Sequence, residues 1–390
     1  MQFDFDTPIS RLDTGSSKWT AYPPDVLPLW VADMDFAVAP AILDALDRRI
    51  RHPVFGYAVP TLALRETIVA EMRDRYGWTI GPDDIVLLPG VEPGFNMALR
   101  ALCAPGDGVT VFLPVYRPLH VAPSQWNLLR IDEVLRPDAS GTYVADIDSV
   151  KASLGRSKAL LFCNPHNPVG KVFTRREIEN VAQVCLSSGT AIISDEIHCD
   201  LLFDGRVHVP IATLGRDVAD RCITLMSASK TYNIAGLKTA FAIVTNPALR
   251  QRFVAMRGGM VDSVNAIGLE ATRAAYAGAR QWREALLAYL QGNRDYLLAG
   301  IRTRLPGIAV HRPEGTFLAW LDCSTLRLGE PAYDFFLKRA KVAFSPGGDF
   351  GLPGDAFVRL NFGCARSVLE AALGRMEASL AERRAGAVVT

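Results

Sequence analysis

Short, continuous runs of apolar residues recur along this chain of 390 residues, and segments with helical periodicity separate them. Continuous rather than alternating apolar runs are typical of strands that are covered on both faces. The intervening helical spacing, as at residues 92–103 and 175–186, indicates βαβ units. We therefore predict an α/β fold built on a mostly parallel central sheet flanked by helices. The predicted strands lie at residues 85–88, 109–113, 159–163, 191–194, 222–226 and 240–244.

The C-terminal part of the sequence has a different layout, in which a long helical stretch at residues 265–304 precedes an α+β pattern. Its predicted strands lie at 317–321, 342–345 and 357–361, and its later helices at 332–341 and 366–382. This change of pattern predicts more than one domain. We expect an N-terminal segment at 1–46 that joins the smaller domain, a large domain at 47–275 and a small domain at 276–390.

Composition excludes several classes of protein. Lys and Arg total 42 against 41 Asp and Glu, and no basic stripe typical of a nucleic-acid-binding protein is present. The sequence has no apolar run long enough to span a bilayer, and residues 1–10 lack the features of a signal peptide. The seven cysteines form no CxxC pair and predict reduced thiols in a cytoplasmic protein. None of the six histidines has a cysteine at ligand spacing, so we expect no metal site.

The strongest local motif, Ser227-Ala228-Ser229-Lys230, directly follows a predicted strand. A lysine at a strand end can form a Schiff base with a carbonyl compound. The hydroxyls of Ser227 and Ser229, together with Lys238, would suit a phosphate dianion. This combination suggests a site for pyridoxal 5′-phosphate (PLP). The alternative is a chance match, since most lysines lie at the surface.

Three further motifs each follow a strand. Asp195 ends the predicted strand 191–194 and could hold a proton on a pyridine nitrogen. Asn167 lies in a proline-rich turn, where one X-Pro bond could be cis and an amide could bind the ring hydroxyl. A glycine turn at 89–94 precedes a helix whose first N–H groups would bind phosphate. The alternatives are a helix cap or surface acid for Asp195 and an ordinary proline-rich turn for Asn167.

Taken together, the order of these motifs is more specific than any one of them. A glycine turn, an Asn-Pro turn, a strand ending in aspartate and a strand followed by Ser-x-Ser-Lys succeed one another along the chain. Each is expected at the carboxyl end of a strand, the edge at which open α/β sheets bind ligands. The sequence therefore predicts one cofactor site at that edge.

This order resembles PLP enzymes of fold type I, the aminotransferase class I/II superfamily, over essentially the whole chain. Four sequences are similar to hallmarks of its MalY/PatB-type cystathionine β-lyases: Leu-Trp-Val-Ala-Asp-Met-Asp-Phe at 29–36, Phe-Gly-Tyr at 55–57, Asp-Glu-Ile-His at 195–198, and Phe-Val-Arg-Leu-Asn-Phe-Gly-Cys at 357–364. Ordinary aminotransferases usually have a tyrosine where this chain has His198. The resemblance implies a large PLP-binding domain, a smaller α+β domain and an active homodimer.

The resemblance also implies a role for individual residues. Lys230 would hold PLP and move protons, Asp195 would pair with the pyridine nitrogen, and Tyr116 would stack on the ring. Asn167 would contact the ring oxygen and the substrate, and Arg359 would bind the substrate α-carboxylate as a bidentate pair. The full set expected to contact PLP is Lys230, Asp195, Asn167, Tyr116, His198, Ser227, Ser229, Lys238, Val91, Glu92 and, from the neighbouring subunit, Tyr57.

Two residues depart from the family pattern. Glu92 puts a negative charge in the glycine turn, where the family usually has an apolar or small residue. Lys238 stands where aminotransferases generally have an arginine, and so lacks the bidentate fork of a guanidinium.

The activity implied by the resemblance is β-elimination from a sulfur-containing L-amino acid, giving a thiol, pyruvate and ammonia. An aminotransferase is the first alternative, because it shares the removal of the α-proton and differs only in the later reprotonation. A PLP-binding regulatory protein is the second alternative. The residues do not choose among cystathionine, cysteine and a more specialised conjugate as substrate.

Overall fold

A seven-stranded sheet forms the centre of the fold in the computed structural model, which describes residues 3–388. Its strands are β1 (Ile85–Leu88), β2 (Gly108–Leu113), β3 (Leu129–Val134), β4 (Ala159–Cys163), β5 (Ala191–Asp195), β6 (Cys222–Met226) and β7 (Ala240–Ile243). Their order across the sheet is β1-β7-β6-β5-β4-β2-β3. Only β7 runs antiparallel to its neighbours in this sheet. The predicted α/β fold with a mostly parallel sheet is confirmed.

Burial on both faces explains why the strands are continuous apolar runs. In β4, Leu160 and Phe162 belong to the hydrophobic core on one side of the sheet, and Leu161 and Cys163 to the core on the other side. Successive side chains of a strand point to opposite faces, so both sets must be apolar when helices cover both faces.

One strand of the sheet, β3 at Leu129–Val134, is absent from the sequence prediction. It pairs in parallel with β2 at the edge of the sheet, and most of its side chains are partly or fully exposed. An edge strand does not need apolar residues on both faces, so it lacks the continuous apolar run that marks the others.

Helices of eight or more residues flank the sheets of the described chain. They are α1 (Pro40–Arg51), α2 (Leu62–Tyr76), α3 (Val91–Leu102), α4 (Arg117–Gln125), α5 (Ile147–Leu154), α6 (Arg175–Ser188), α7 (Pro247–Ala255), α8 (Ala266–Gly278), α9 (Arg280–Arg304) and α10 (Arg366–Val388). The helical stretch predicted at 265–304 is therefore two helices that part at Ala279. The helix predicted at 332–341 is a short α-helical turn, Ala332–Phe335, followed by a π-helical turn at Phe336–Ala340.

A smaller antiparallel sheet lies in the C-terminal part of the chain. Its strands are β8 (Ala309–Val310), β9 (Leu318–Asp322), β10 (Ser345–Pro346) and β11 (Phe357–Asn361), in the order β8-β9-β11-β10. The N-terminal pair Leu27–Pro28 runs parallel to Val342–Ala343, and a further short pair joins Arg136–Pro137 to Tyr143–Val144. The predicted division at residues 46 and 275 into domains stays a prediction.

The state of the cysteines and the character of the helices bear on the expectations of reduced thiols and of no membrane span. The seven cysteines are free thiols, and all except Cys103 are buried. Within residues 3–388, no helix combines the length and the apolar character that a transmembrane span requires.

The topology brings several chain segments to one edge of the central sheet. The strands β1, β2, β4, β5 and β6 are mutually parallel, so their carboxyl ends meet at this edge. The antiparallel strand β7 begins there, which adds the residues directly before Ala240.

Candidate active site

A cavity of about 630 Å³ lies at this edge of the sheet. It brings together most of the side chains that the sequence predicted for a cofactor site. Those that line it are Val91, Glu92, Tyr116, Asn167, Asp195, His198, Ser227, Ser229, Lys230 and Lys238. Arg359 and Tyr57 are not part of the lining.

Asp195 projects from the end of β5 into the floor of the cavity. Its Oδ1 atom accepts a hydrogen bond from the Ile197 N–H at 3.1 Å, and burial raises the pKa of the carboxyl to about 7. The next residue, Glu196, points elsewhere: its carboxylate lies 2.6 Å from His208 Nε2 and accepts from Ser194 Oγ at 2.8 Å. These buried contacts anchor the strand end and fix the direction of Asp195.

Lys230 lies beyond the end of β6 with its amine inside the cavity. Its Nζ atom donates to the backbone carbonyl of Ala32 at 2.7 Å. Burial lowers the pKa of the amine to about 8, and the positive charge of Arg359 adds to the shift. An amine with this pKa is partly unprotonated near neutral pH, as a nucleophile or a base must be.

The start of α3 offers backbone donors at the opposite end of the cavity. Pro93 has no N–H, and the Gly94 N–H bonds to the Gly90 carbonyl, so the amides free for a ligand are those of Val91 and Glu92. The helix packs tightly on the sheet, since a Cβ atom at Gly94 would lie 2.7 Å from Leu225 Cδ2. Two free N–H groups at a helix N-terminus form an anion site.

The remaining polar groups at this end come from the segment between β6 and β7. The hydroxyl of Ser227 donates to the Thr239 carbonyl at 2.6 Å and accepts from the Ser229 N–H at 3.0 Å. Lys238 is exposed and has a left-handed backbone conformation (φ 51°), which directs the chain into β7. Ser229 and Lys238 thus have side chains available beside the Val91 and Glu92 amides, whereas the Ser227 proton is engaged within the chain.

The Asn-Pro turn after β4 has both of its X-Pro bonds in the cis form, at Asn164-Pro165 and Asn167-Pro168. The backbone carbonyl of Asn167 accepts a hydrogen bond from the Tyr116 N–H at 3.0 Å. This hydrogen bond joins two walls of the cavity. Its side-chain Oδ1 accepts from an Arg359 guanidinium nitrogen at 3.0 Å, which leaves the amide NH₂ to donate.

Arg359 lies in β11, buried behind Asn167 and above the ring of Phe350. Its guanidinium also donates to the Trp30 carbonyl at 2.7 Å and to Ser345 Oγ at 2.9 Å. Within residues 3–388 all its hydrogen-bond partners are neutral, and its Nε atom has none. A buried guanidinium without a carboxylate partner is suited to bind an anionic group.

Comparison with known proteins shows the family of the chain. Residues 24–376 match the protein family described as aminotransferase class I and II. The chain belongs to this family.

Relatives within the aminotransferase class I and II family match this chain over nearly its whole length. Cystathionine beta-lyase PatB of Bacillus subtilis (strain 168) is 36% identical over 388 residues, which cover 97% of this chain and all of PatB. The crystal structure of OvoB is 43% identical, with a TM-score of 0.93, and covers 97% of this chain and 99% of OvoB. Cystalysin from Treponema denticola, whose crystal contains pyridoxal 5′-phosphate, is 32% identical with a TM-score of 0.94, covering 98% of this chain and all of cystalysin.

The cavity of this family member fits such a cofactor on two observations. Asp195 is a buried carboxylate with no hydrogen-bonded cation in the described chain, as expected where a protonated pyridine nitrogen would sit. His198 is buried at the same wall, its Nδ1 atom has no hydrogen-bond partner among the described residues, and burial lowers its pKa well below the usual value. A polar group of the ligand near these atoms would satisfy both.

One contact of the site in this aminotransferase-family chain was missed by the sequence prediction. Ala32 lines the cavity, and the backbone carbonyls of residues 30–33 accept hydrogen bonds from Lys230, Arg359 and Asn361. An ion pair holds this segment in place, since the fully buried Lys18 lies 2.6 Å from the Asp35 carboxylate. The motif at 29–36 marked this segment in the sequence. Its hydrogen bonds could not be predicted, because every residue type has a backbone carbonyl.

Tyr57 does not reach the cavity of its own chain. It lies before α2 and is fully exposed, at 107% of the reference area. The structure therefore brings ten of the predicted residues together, puts Arg359 in contact with them through Asn167, and leaves Tyr57 outside.

Proposed function

We propose that this chain is a PLP-dependent carbon–sulfur lyase. It would eliminate a thiol from a sulfur-containing L-amino acid and yield pyruvate and ammonia. The observation that carries the proposal is the pairing of a buried carboxylate, Asp195, with a half-buried lysine of lowered pKa, Lys230, across one cavity at the carboxyl edge of the sheet. The name cystathionine beta-lyase, borne by a relative that matches the whole length of the chain, supports the type of reaction.

The cofactor would lie between the two ends of the cavity. Lys230 would hold its aldehyde carbon, Asp195 its pyridine nitrogen, and Asn167 and His198 its ring oxygen, while Tyr116 would cover one ring face. The phosphate would lie at the start of α3. The groups available to it there are the backbone N–H groups of Val91 and Glu92 and the side chains of Ser229 and Lys238. Ser227, which the sequence also predicted for the phosphate, donates its proton to the Thr239 carbonyl instead.

When bound, PLP supplies an aldehyde that joins an amine and a ring that accepts the electron pair of a broken α-carbon–hydrogen bond. Lys230 would act as the base that takes the α-proton of the substrate. Its pKa of about 8 suits a base that works near neutral pH. Asp195 would keep a proton on the pyridine nitrogen, which favours electron withdrawal from the substrate. The β-carbon–sulfur bond would break with its electron pair going to sulfur, so that the substituent leaves as a thiolate, and one water would be consumed in the release of pyruvate and ammonia.

Arg359 would set the orientation of the substrate. Its guanidinium is buried, lacks a carboxylate partner among the described residues and contacts Asn167 at the cavity wall. A forked contact to the α-carboxylate would hold the α-carbon between Lys230 and the ring.

An aminotransferase is the second candidate, because the family includes proteins of that name and the site chemistry is shared up to removal of the α-proton. The two reactions differ in their need for an amino acceptor. We expect turnover of L-cystathionine to proceed without any added 2-oxo acid, and a strict requirement for such an acceptor would contradict the lyase proposal.

We further propose that the active form is a homodimer, and that Tyr57 acts in the neighbouring subunit. The exposed segment around Tyr57 is apolar: Val54, Phe55, Val59 and Leu62 are each more than half exposed. A contiguous exposed apolar segment marks an interaction surface. A second copy of the chain would cover it and bring Tyr57 to the partner's phosphate end. A cytoplasmic location stays a prediction from the free cysteines.

Subunit mixing tests the role of Tyr57. Tyr57→Phe and Lys230→Ala chains, each impaired alone, should regain activity when dissociated and reassociated together. The reason is that each heterodimer has one site with an intact Lys230 from one chain and an intact Tyr57 from the other. Activity is measured as pyruvate release before and after mixing. A mixture no more active than its better parent would argue that each site is built within one chain.

A further inference from the structure

The charged side chains that line the cavity do not all have a role in holding the cofactor. Within the described lining they are Asp195, Lys230, Lys238 and Glu92. On the proposed function, Asp195 pairs with the pyridine nitrogen, Lys230 with the aldehyde carbon and Lys238 with the phosphate. The carboxylate of Glu92 is left over, and it would repel a phosphate rather than bind it.

The position of Glu92 directs its carboxylate to the mouth of the cavity. Glu92 is the second residue of α3, and its side chain is exposed. Its backbone carbonyl accepts from Asn96 Nδ2 at 2.9 Å, one helical turn later, and Asn96 Oδ1 accepts from Trp126 Nε1 at 2.7 Å. The side-chain amide of Asn96 is therefore engaged with the helix backbone and with Trp126. The ion pairs of residues 3–388 do not include the Glu92 carboxylate.

Glu92 and Tyr116 share one wall of the cavity. Both side chains line the same cavity, and the negative charge of Glu92 adds to burial in raising the pKa of the Tyr116 phenol to about 12. On the proposed function Tyr116 would cover one face of the ring, and a substituent on the substrate β-carbon would extend past it toward solvent. The exposed Glu92 carboxylate, in the same cavity lining, would then lie within reach of the leaving group.

We propose that Glu92 is a specificity-determining residue that favours substrates whose sulfur-linked leaving group carries a positive charge. The substrate class is a β-thio-L-amino acid with an ammonium or similar cation two or three bonds from sulfur. This inference rests on the proposed lyase function. The α-carboxylate is assigned to Arg359, so the preference concerns only the leaving group, which departs as a thiolate with the electron pair of the broken carbon–sulfur bond.

Three substrates of similar size test this preference: S-(2-aminoethyl)-L-cysteine, S-propyl-L-cysteine and S-(2-carboxyethyl)-L-cysteine. The parent and Glu92→Gln holoenzymes are compared by kcat/KM for thiol release. In the variant, the ratio for aminoethyl over propyl should fall by a factor of about 1.5 to 5, the range for a solvent-exposed ion pair. The carboxyethyl ratio should rise. Intrinsic differences between the thiols cancel, because both enzymes share them.

Glu370→Gln is the matched control, since it removes the same charge from an exposed position on α10, outside the cavity lining. We expect it to leave all three ratios unchanged. Equal changes for all three substrates in Glu92→Gln, together with altered PLP affinity, would show that Glu92 acts on the cofactor and would overturn the inference.

A binding measurement separates this inference from the proposed function. Each amino acid is titrated into the holoenzyme while the cofactor absorbance is followed, which gives an apparent Kd without turnover. If charge selectivity disappears in Glu92→Gln but no thiol is released, the specificity role stands and the lyase assignment fails. If thiol is released with the same ratios in both enzymes, the lyase assignment stands and the inference fails. If none of the three binds, both are contradicted.

Discussion

Asp195→Asn is expected to lower turnover of L-cystathionine about a thousandfold while PLP stays bound. An amide cannot keep a proton on the pyridine nitrogen, so the ring loses its electron-withdrawing power when the α-proton leaves. A loss of about 4 kcal/mol in stabilisation corresponds to this factor in rate. Burial raises the pKa of Asp195 to about 7, so the site tolerates an uncharged group, and the fold should persist. Pyruvate release gives the rate, and cofactor absorbance gives the occupancy.

The matched control is Asp148→Asn, which changes an exposed aspartate on α5 in the same way. It should keep parental turnover. Near-parental turnover in Asp195→Asn with PLP bound would mean that the pyridine nitrogen lies elsewhere in the cavity.

Arg359→Lys is expected to lower kcat/KM for amino-acid substrates. The loss corresponds to about 2 to 4 kcal/mol in activation free energy, the range for disrupting a buried, hydrogen-bonded charge pair at a binding site. A lysine keeps the positive charge but does not have the planar fork that matches a carboxylate. The alternative to a substrate-binding role is a structural one, in a salt bridge between the two predicted domains. Its neutral partners, Asn167, Ser345 and the Trp30 carbonyl, argue against that alternative.

Substrates with an amidated α-carboxylate give the internal control for Arg359. The fall in kcat/KM from acid to amide in the parent should about equal the fall from parent to variant on the acid. In the variant, amidation should lower kcat/KM little further. A variant that unfolds, or that discriminates against the amide as strongly as the parent does, would make Arg359 a structural residue.

The sheet could be predicted because the burial of each central strand leaves an apolar pattern in the residues of that strand itself. In β4, β5 and β6 nearly every side chain is buried on one face or the other, so the sequence shows a predominantly apolar run. The edge strand β3 was not predicted, because most of its side chains are partly or fully exposed and its sequence has no continuous apolar run. The break between α8 and α9 at Ala279 escaped because the apolar periodicity continues across it.

The site was predictable to the extent that its chemistry lies in side chains at strand ends. Asp195 and Lys230 each follow an apolar run, and parallel strands bring such ends together. The hydrogen bond between Lys230 and the Ala32 carbonyl was not predictable, because 198 residues separate the two and the acceptor is backbone. It depends on the N-terminal segment, which is held by Lys18 and by the pairing of Leu27–Pro28 with Val342–Ala343.

A product balance for L-cystathionine tests the central claim most directly. The holoenzyme is incubated with L-cystathionine and no 2-oxo acid, and homocysteine, pyruvate and ammonia are measured over many turnovers. Cleavage of the β-carbon–sulfur bond consumes one water and predicts the three products in equal amounts, with none formed by Lys230→Ala. A product that keeps its carbon–sulfur bond, and that accumulates only after a 2-oxo acid is added, would contradict the lyase account and identify an aminotransferase.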